Sequence, residues 1–126
     1  METGMSSVSQ QPAPGAHLLR LQGSRVVFTL ELSEGRDGVA WLRTNLGRNA
    51  ARLAELIAAA EEGQMPLGRD WHDLPMTRVS ARRFTASVGL LEVGRFEAKA
   101  LFLPEGEAQP LWPAGENVVL KVEPAW

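Results

Sequence analysis

Two histidines stand in this 126-residue chain, and one of them, His72, is followed directly by Asp73. An imidazole oriented by a carboxylate is a common element of acid/base and metal chemistry. Adjacent residues rarely face each other, however, and the other histidine, His17, lies far upstream. Hydrogen-bonding a turn suits this pair better than catalysis, which needs a partner held in geometry. Thr77, Ser80 and Ser87 have no evident base to activate them, and no glycine-rich stretch has phosphate-loop spacing. Glu92, Glu97, Glu105, Glu107 and Glu116 offer the residue type of a glycosidase acid and nucleophile. Glu97 alternates with apolar residues on a strand and the others fall in turns, so they read as solubility charges. Cysteine is absent, which removes disulfides, thiolate metal sites and a cysteine nucleophile together. The sequence therefore predicts no catalytic residue, no metal ligand and no cofactor.

Tryptophan usage is more distinctive, with four residues against no tyrosine. Trp71 and Trp112 fall in loops among Pro, Asp and Gly. There an indole can plug an open end of the core, meet another domain, or offer its flat face to a sugar ring. Trp41 sits in an apolar run and is expected in the core. Trp71, His72, Asp73 and Trp112 are the residues through which the chain is expected to touch carbohydrate or a neighbouring domain.

The elements that must position them are strands. Arg25–Leu32 alternates Val26, Phe28, Leu30 and Leu32 against Val27, Thr29 and Glu31, the period of two that marks a half-buried strand. Ser33–Gly38 breaks the chain with turn residues, and Val39–Asn45 is a second strand. From Asn49 the period changes: Leu53, Leu56, Ile57 and Ala60 recur at helical spacing before Gly63, predicting one inserted α-helix over about residues 49–62. Leu74–Ser80 reads as a short strand with Pro75 at its start or at a sheet edge. Arg83–Leu91 and Gly94–Leu103 flank the turn Glu92-Val93-Gly94 and look like a hairpin. Asn117–Glu123 closes the set with Val118, Leu120 and Val122 inward. Such spacing predicts a mainly β chain, an immunoglobulin-like antiparallel β-sandwich over 25–126, since a parallel sheet would show unbroken apolar runs. Residues 1–24, rich in Ser, Gln, Pro and Gly, are expected to be a flexible leader.

Composition sets the outer bounds. At 44% hydrophobic and 22% charged the chain is neither a membrane protein nor wholly disordered in kind. Its formal charge of -2 argues against nucleic acid, which calls for a basic field or stripe. The local cluster Arg43, Arg48 and Arg52 is followed by Glu55, Glu61 and Glu62 and reads as the solvated face of the helix. No run approaches the length of a membrane span or a secretory signal, so a cytoplasmic location is expected.

Four segments carry a resemblance: Leu42–Gly47, Asp70-Trp-His-Asp-Leu-Pro-Met76, Gly94-Arg-Phe-Glu-Ala-Lys-Ala-Leu-Phe-Leu-Pro104, and Trp112-Pro113 through Val119-Leu-Lys-Val-Glu-Pro-Ala125. Together they resemble the N-terminal β-sandwich module of bacterial glycogen-debranching and α-amylase-superfamily enzymes, over about residues 25–125. The resemblance implies a non-catalytic accessory domain of a glycoside hydrolase or glucanotransferase. Its partners would be the catalytic domain of the same polypeptide and, through exposed aromatics, α-glucan. The alternative is a free-standing protein-interaction domain that recruits its partner through the Arg43–Arg52 region or an open sheet edge.

Overall fold

The computed structural model describes residues 8–46 and 71–125. Nine strands lie among them: β1 (Val8–Gln11), β2 (His17–Leu21), β3 (Arg25–Leu32), β4 (Gly38–Thr44), β5 (His72–Pro75), β6 (Thr77–Arg78), β7 (Arg83–Gly89), β8 (Gly94–Pro104) and β9 (Val118–Glu123). They form a four-stranded sheet, β1-β3-β7-β6, and a five-stranded sheet, β2-β9-β8-β4-β5. All neighbours run antiparallel except β2 beside β9. The described chain is thus mainly β and arranged in two sheets.

Alternation in the sequence explains which faces meet. Val26, Phe28, Leu30 and Leu32 of β3 and Phe84 of β7 are buried against Phe96, Ala98, Ala100 and Phe102 of β8 and Val118, Leu120 and Val122 of β9. The Phe84 and Phe102 rings tilt together with centroids 5.6 Å apart. Small Ala98 and Ala100 opposite bulky phenylalanines let the two layers interdigitate. Gly38 opens β4 where any side chain would collide, since an added Cβ would lie 2.6 Å from Cζ of Phe102.

Several expectations are corrected by this architecture. The segment expected to be a flexible leader supplies β1 and β2, one in each sheet, with the cis Gln11–Pro12 bond between them. Local composition hides these strands because they are short, and backbone pairing to β3 and β9 holds them as much as apolar area does. Val8 and Gln10 face inward and are buried. Moreover, Gln10 closes a gap in the ladder. β9 pairs with β8 only as far as Ala98, and the backbone N–H of Ala100 donates instead to Oε1 of Gln10 at 2.8 Å. Its Nε2 donates to the carbonyl of Pro12, also at 2.8 Å.

β7 and β8 are not a hairpin, because β7 pairs with β3 and β6 while β8 pairs with β4 and β9. Each carries one apolar face, and placing them in opposite sheets lets those faces pack on each other. Leu74–Ser80 likewise divides between the sheets: β5 lies beside β4, β6 lies beside β7, and Met76 between them donates its N–H to the carbonyl of Ala40 at 3.0 Å. Trp41 is no core residue. On β4 it is Ala40, Leu42 and Thr44 that are buried, which leaves Val39, Trp41 and Arg43 on the outer face with Trp41 half-buried. Arg43 therefore belongs to a strand, not to the polar side of a helix. The predicted helix over 49–62, with Arg48 and Arg52, lies outside the described residues.

Candidate functional site

The strand register builds the site. Asp73 on β5, Arg43 on β4 and Lys99 on β8 are consecutive cross-strand partners, so their side chains form a polar row on the outer face of the five-stranded sheet. Arg43 donates from Nε to Oδ1 of Asp73 at 2.9 Å and from Nη2 to Oδ2 at 3.0 Å, a bidentate pair. These hydrogen bonds raise the Arg43 pKa above its ordinary value; partial burial opposes the rise and direct charge attraction adds to it.

Trp112 lies over this row. The Arg43 Cζ is 5.4 Å and the Lys99 Nζ 5.8 Å from its ring, within cation–π range. The segment carrying Trp112 is held at both flanks. Leu111 exchanges backbone hydrogen bonds of 3.0 and 2.7 Å with Phe102, and the Lys99 ammonium donates to the carbonyl of Gly115. Gly115 has φ of +115°, and a Cβ there would lie 2.9 Å from Cβ of Pro14, so glycine alone lets the loop pass. Asn117 is oriented by Glu97, to whose Oε1 its Nδ2 donates at 3.0 Å.

Trp71, His72, Asp73, Trp112, Arg43, Lys99 and Asn117 line one open concavity of about 410 Å³. The four residues singled out in sequence, Trp71, His72, Asp73 and Trp112, thus come together, His72 and Asp73 from β5, Trp71 just before it and Trp112 from the loop between β8 and β9. His72 and Asp73 do not act as a dyad. Alternation sends Asp73 outward to Arg43, whereas His72 Nε2 lies 2.6 Å from the carbonyl of Leu46. A carbonyl only accepts, so that nitrogen carries the proton and the ring ties β5 to the segment just after β4. Among the described residues, no group of three or more His, Asp or Glu is placed to hold a metal ion.

Lys99 and Asn117 were not singled out in sequence, and Arg43 was expected on the solvated face of a helix or in a partner-recruiting region with Arg48 and Arg52. Alternation puts Arg43 with Trp41, and Lys99 with Glu97, on outer faces, which was the available signal. Only the pairing of β4 with β8 sets Arg43 opposite Lys99. Beside this row the same face is apolar: Trp41 stands between Pro75 and Leu101, and Val39 opposite Leu103.

No family model and no curated protein sequence matches the chain. Solved structures do resemble it, 68 chains in all. One belongs to the structure described as "Structural basis of T cell specificity and activation by the bacterial superantigen toxic shock syndrome toxin-1". It superimposes with a TM-score of 0.51 at 10% identity, over 91% of this chain and 98% of that one. Identity this low speaks for the two-sheet β fold alone. No helix among the described residues is long and apolar enough to cross a membrane.

Proposed function

We propose that this chain is a non-catalytic accessory module of a cytoplasmic enzyme acting on glycogen, starch or maltodextrin, and that its concavity contacts α-glucan while the sheet face beside it docks on a catalytic domain. The observation that carries this reading is the convergence of Trp71 and Trp112 on a hollow edged by Arg43, Asp73, Lys99 and Asn117. Flat aromatic surface beside fixed donors and acceptors matches a pyranose, which has apolar ring faces and a rim of hydroxyls. The volume lies in the range of small-ligand sites.

The order β1-β3-β7-β6 against β2-β9-β8-β4-β5 supports an immunoglobulin-like reading of the sandwich, in which β2 and β5 extend the sheet built on β4, β8 and β9. The docking part rests on Pro75, Trp41, Val39 and Leu103 of the outer face, where Pro75 is exposed, Val39 is 48% exposed and Trp41 and Leu103 are half-buried, while Leu101 between them is already buried. Such an apolar strip is the kind of surface that another domain covers. It also favours the second reading, a free-standing protein-interaction domain. A catalytic barrel encoded in the same reading frame after Trp126 supports the first, and a stop codon there supports the second.

Titration with maltoheptaose, followed by tryptophan fluorescence, tests the glucan part. Saturable binding is expected, and Trp112→Ala should weaken it by at least about tenfold, as loss of a central aromatic contact does. No response at millimolar ligand removes the glucan role and leaves docking.

A further inference from the structure

The charges in the concavity do not cancel. Arg43 and Asp73 neutralise each other through their bidentate pair, at 2.9 and 3.0 Å. Lys99 stands directly opposite Arg43 in the register, an arrangement of like charges that costs stability. Its ammonium meets the carbonyl of Gly115 and the indole of Trp112, and among the described residues no carboxylate pairs with it. An ammonium has three donors, so two remain after the bond to Gly115. Arg43 likewise uses Nε and one N–H of Nη2 on Asp73 and keeps its remaining N–H groups. Acceptors are held here as well: with Nδ2 committed to Glu97, Asn117 retains Oδ1 for a hydroxyl donor.

We infer that the site takes an anionic hexose, a glucose unit carrying a phosphate ester, with Lys99 holding the anion and Trp71, Trp112 and Asn117 meeting the ring. This rests on the glucan reading above and specifies its ligand. A hollow of about 410 Å³ is suited to a small ligand, whereas an acidic protein segment would need a longer groove. Binding is non-covalent, and no bond is made or broken.

The test is a fluorescence and calorimetric titration of the full chain with glucose 6-phosphate, glucose 1-phosphate, glucuronate, glucose, inorganic phosphate and maltoheptaose. At least one glucose phosphate should bind about tenfold or more tighter than glucose, as a charge-assisted hydrogen bond permits. That preference should shrink with added salt. Lys99→Gln should bring the ratio of glucose phosphate to glucose affinity down to about one, and Lys99→Arg should restore that ratio, which also shows that position 99 tolerates replacement. Tighter binding of glucuronate than of either phosphate keeps the anion subsite but overturns the phosphate assignment. Equal affinity for glucose and both phosphates overturns the inference and leaves the glucan reading standing. Inorganic phosphate binding as tightly as the sugar phosphate overturns recognition of the ring. Binding of an oligoglutamate peptide but of no sugar overturns both readings in favour of an acidic docking segment.

Discussion

Thr44 shows how much one buried polar atom can hold. The residue is fully buried, its Oγ1 donates to the carbonyl of Glu97 at 2.7 Å, and it accepts from the N–H of Leu46 at 3.0 Å. Thr44→Val keeps the shape and removes both bonds, leaving two backbone groups without partners, a loss of about 1–3 kcal/mol expected in urea denaturation. Asp73→Asn tests a different balance. The Arg43–Asp73 pair is substantially exposed, with side-chain exposures of 46% and 34%, so its removal should cost less than about 1 kcal/mol. Because the Arg43 pKa is raised in the folded state, its share of that stability is complete below the ordinary arginine value and is lost only as pH rises through the raised one. The guanidinium therefore adds no pH dependence near neutrality, and Arg43→Gln should leave the shape of the stability–pH curve between pH 6 and 9 unchanged.

At the scale of elements, the hidden strands make the clearest prediction. β1 buries Val8 and Gln10, pairs with β3 from Val8↔Leu32 to Gln11↔Thr29, and supplies the acceptor for the Ala100 N–H. Deleting residues 1–11 should lower the urea midpoint clearly, whereas a leader without structural work would be removed at no cost. Gln10→Ala alone should destabilise by about 1–3 kcal/mol, the penalty of leaving a buried donor unsatisfied. Gly38→Ala at the start of β4 forces a Cβ onto the backbone carbonyl of Leu103 and to within 2.6 Å of the Phe102 ring, and should cost at least about 1–3 kcal/mol by overpacking, read as a drop in Tm. These elements were unequally legible. The inward face of β3, with Val26, Phe28, Leu30 and Leu32, follows from period-two alternation alone. β2, whose His17, Leu19, Arg20 and Leu21 are exposed, leaves little pattern to read.

At the scale of the whole molecule, two sheets close over one core, so Phe102, fully buried and touching Phe84 across the layers, belongs to both. Phe102→Ala should lower stability by about 3–5 kcal/mol in a single cooperative transition seen alike by near- and far-UV circular dichroism. The candidate site is likewise a product of assembly. Sequence by itself determined that the chain is mainly β, which faces of β3, β8 and β9 turn inward, and that Trp71, His72, Asp73 and Trp112 stand in or beside loops. These are local properties: side-chain alternation and turn chemistry act within a few residues. Tertiary structure alone decided that β7 and β8 enter opposite sheets, that β1 and β2 join the sandwich, and that Asp73, Arg43 and Lys99 align beneath Trp112. Alternation tells a strand which side to bury but not which strand to pair with. Register, set by long-range contacts, turned scattered polar residues into one site.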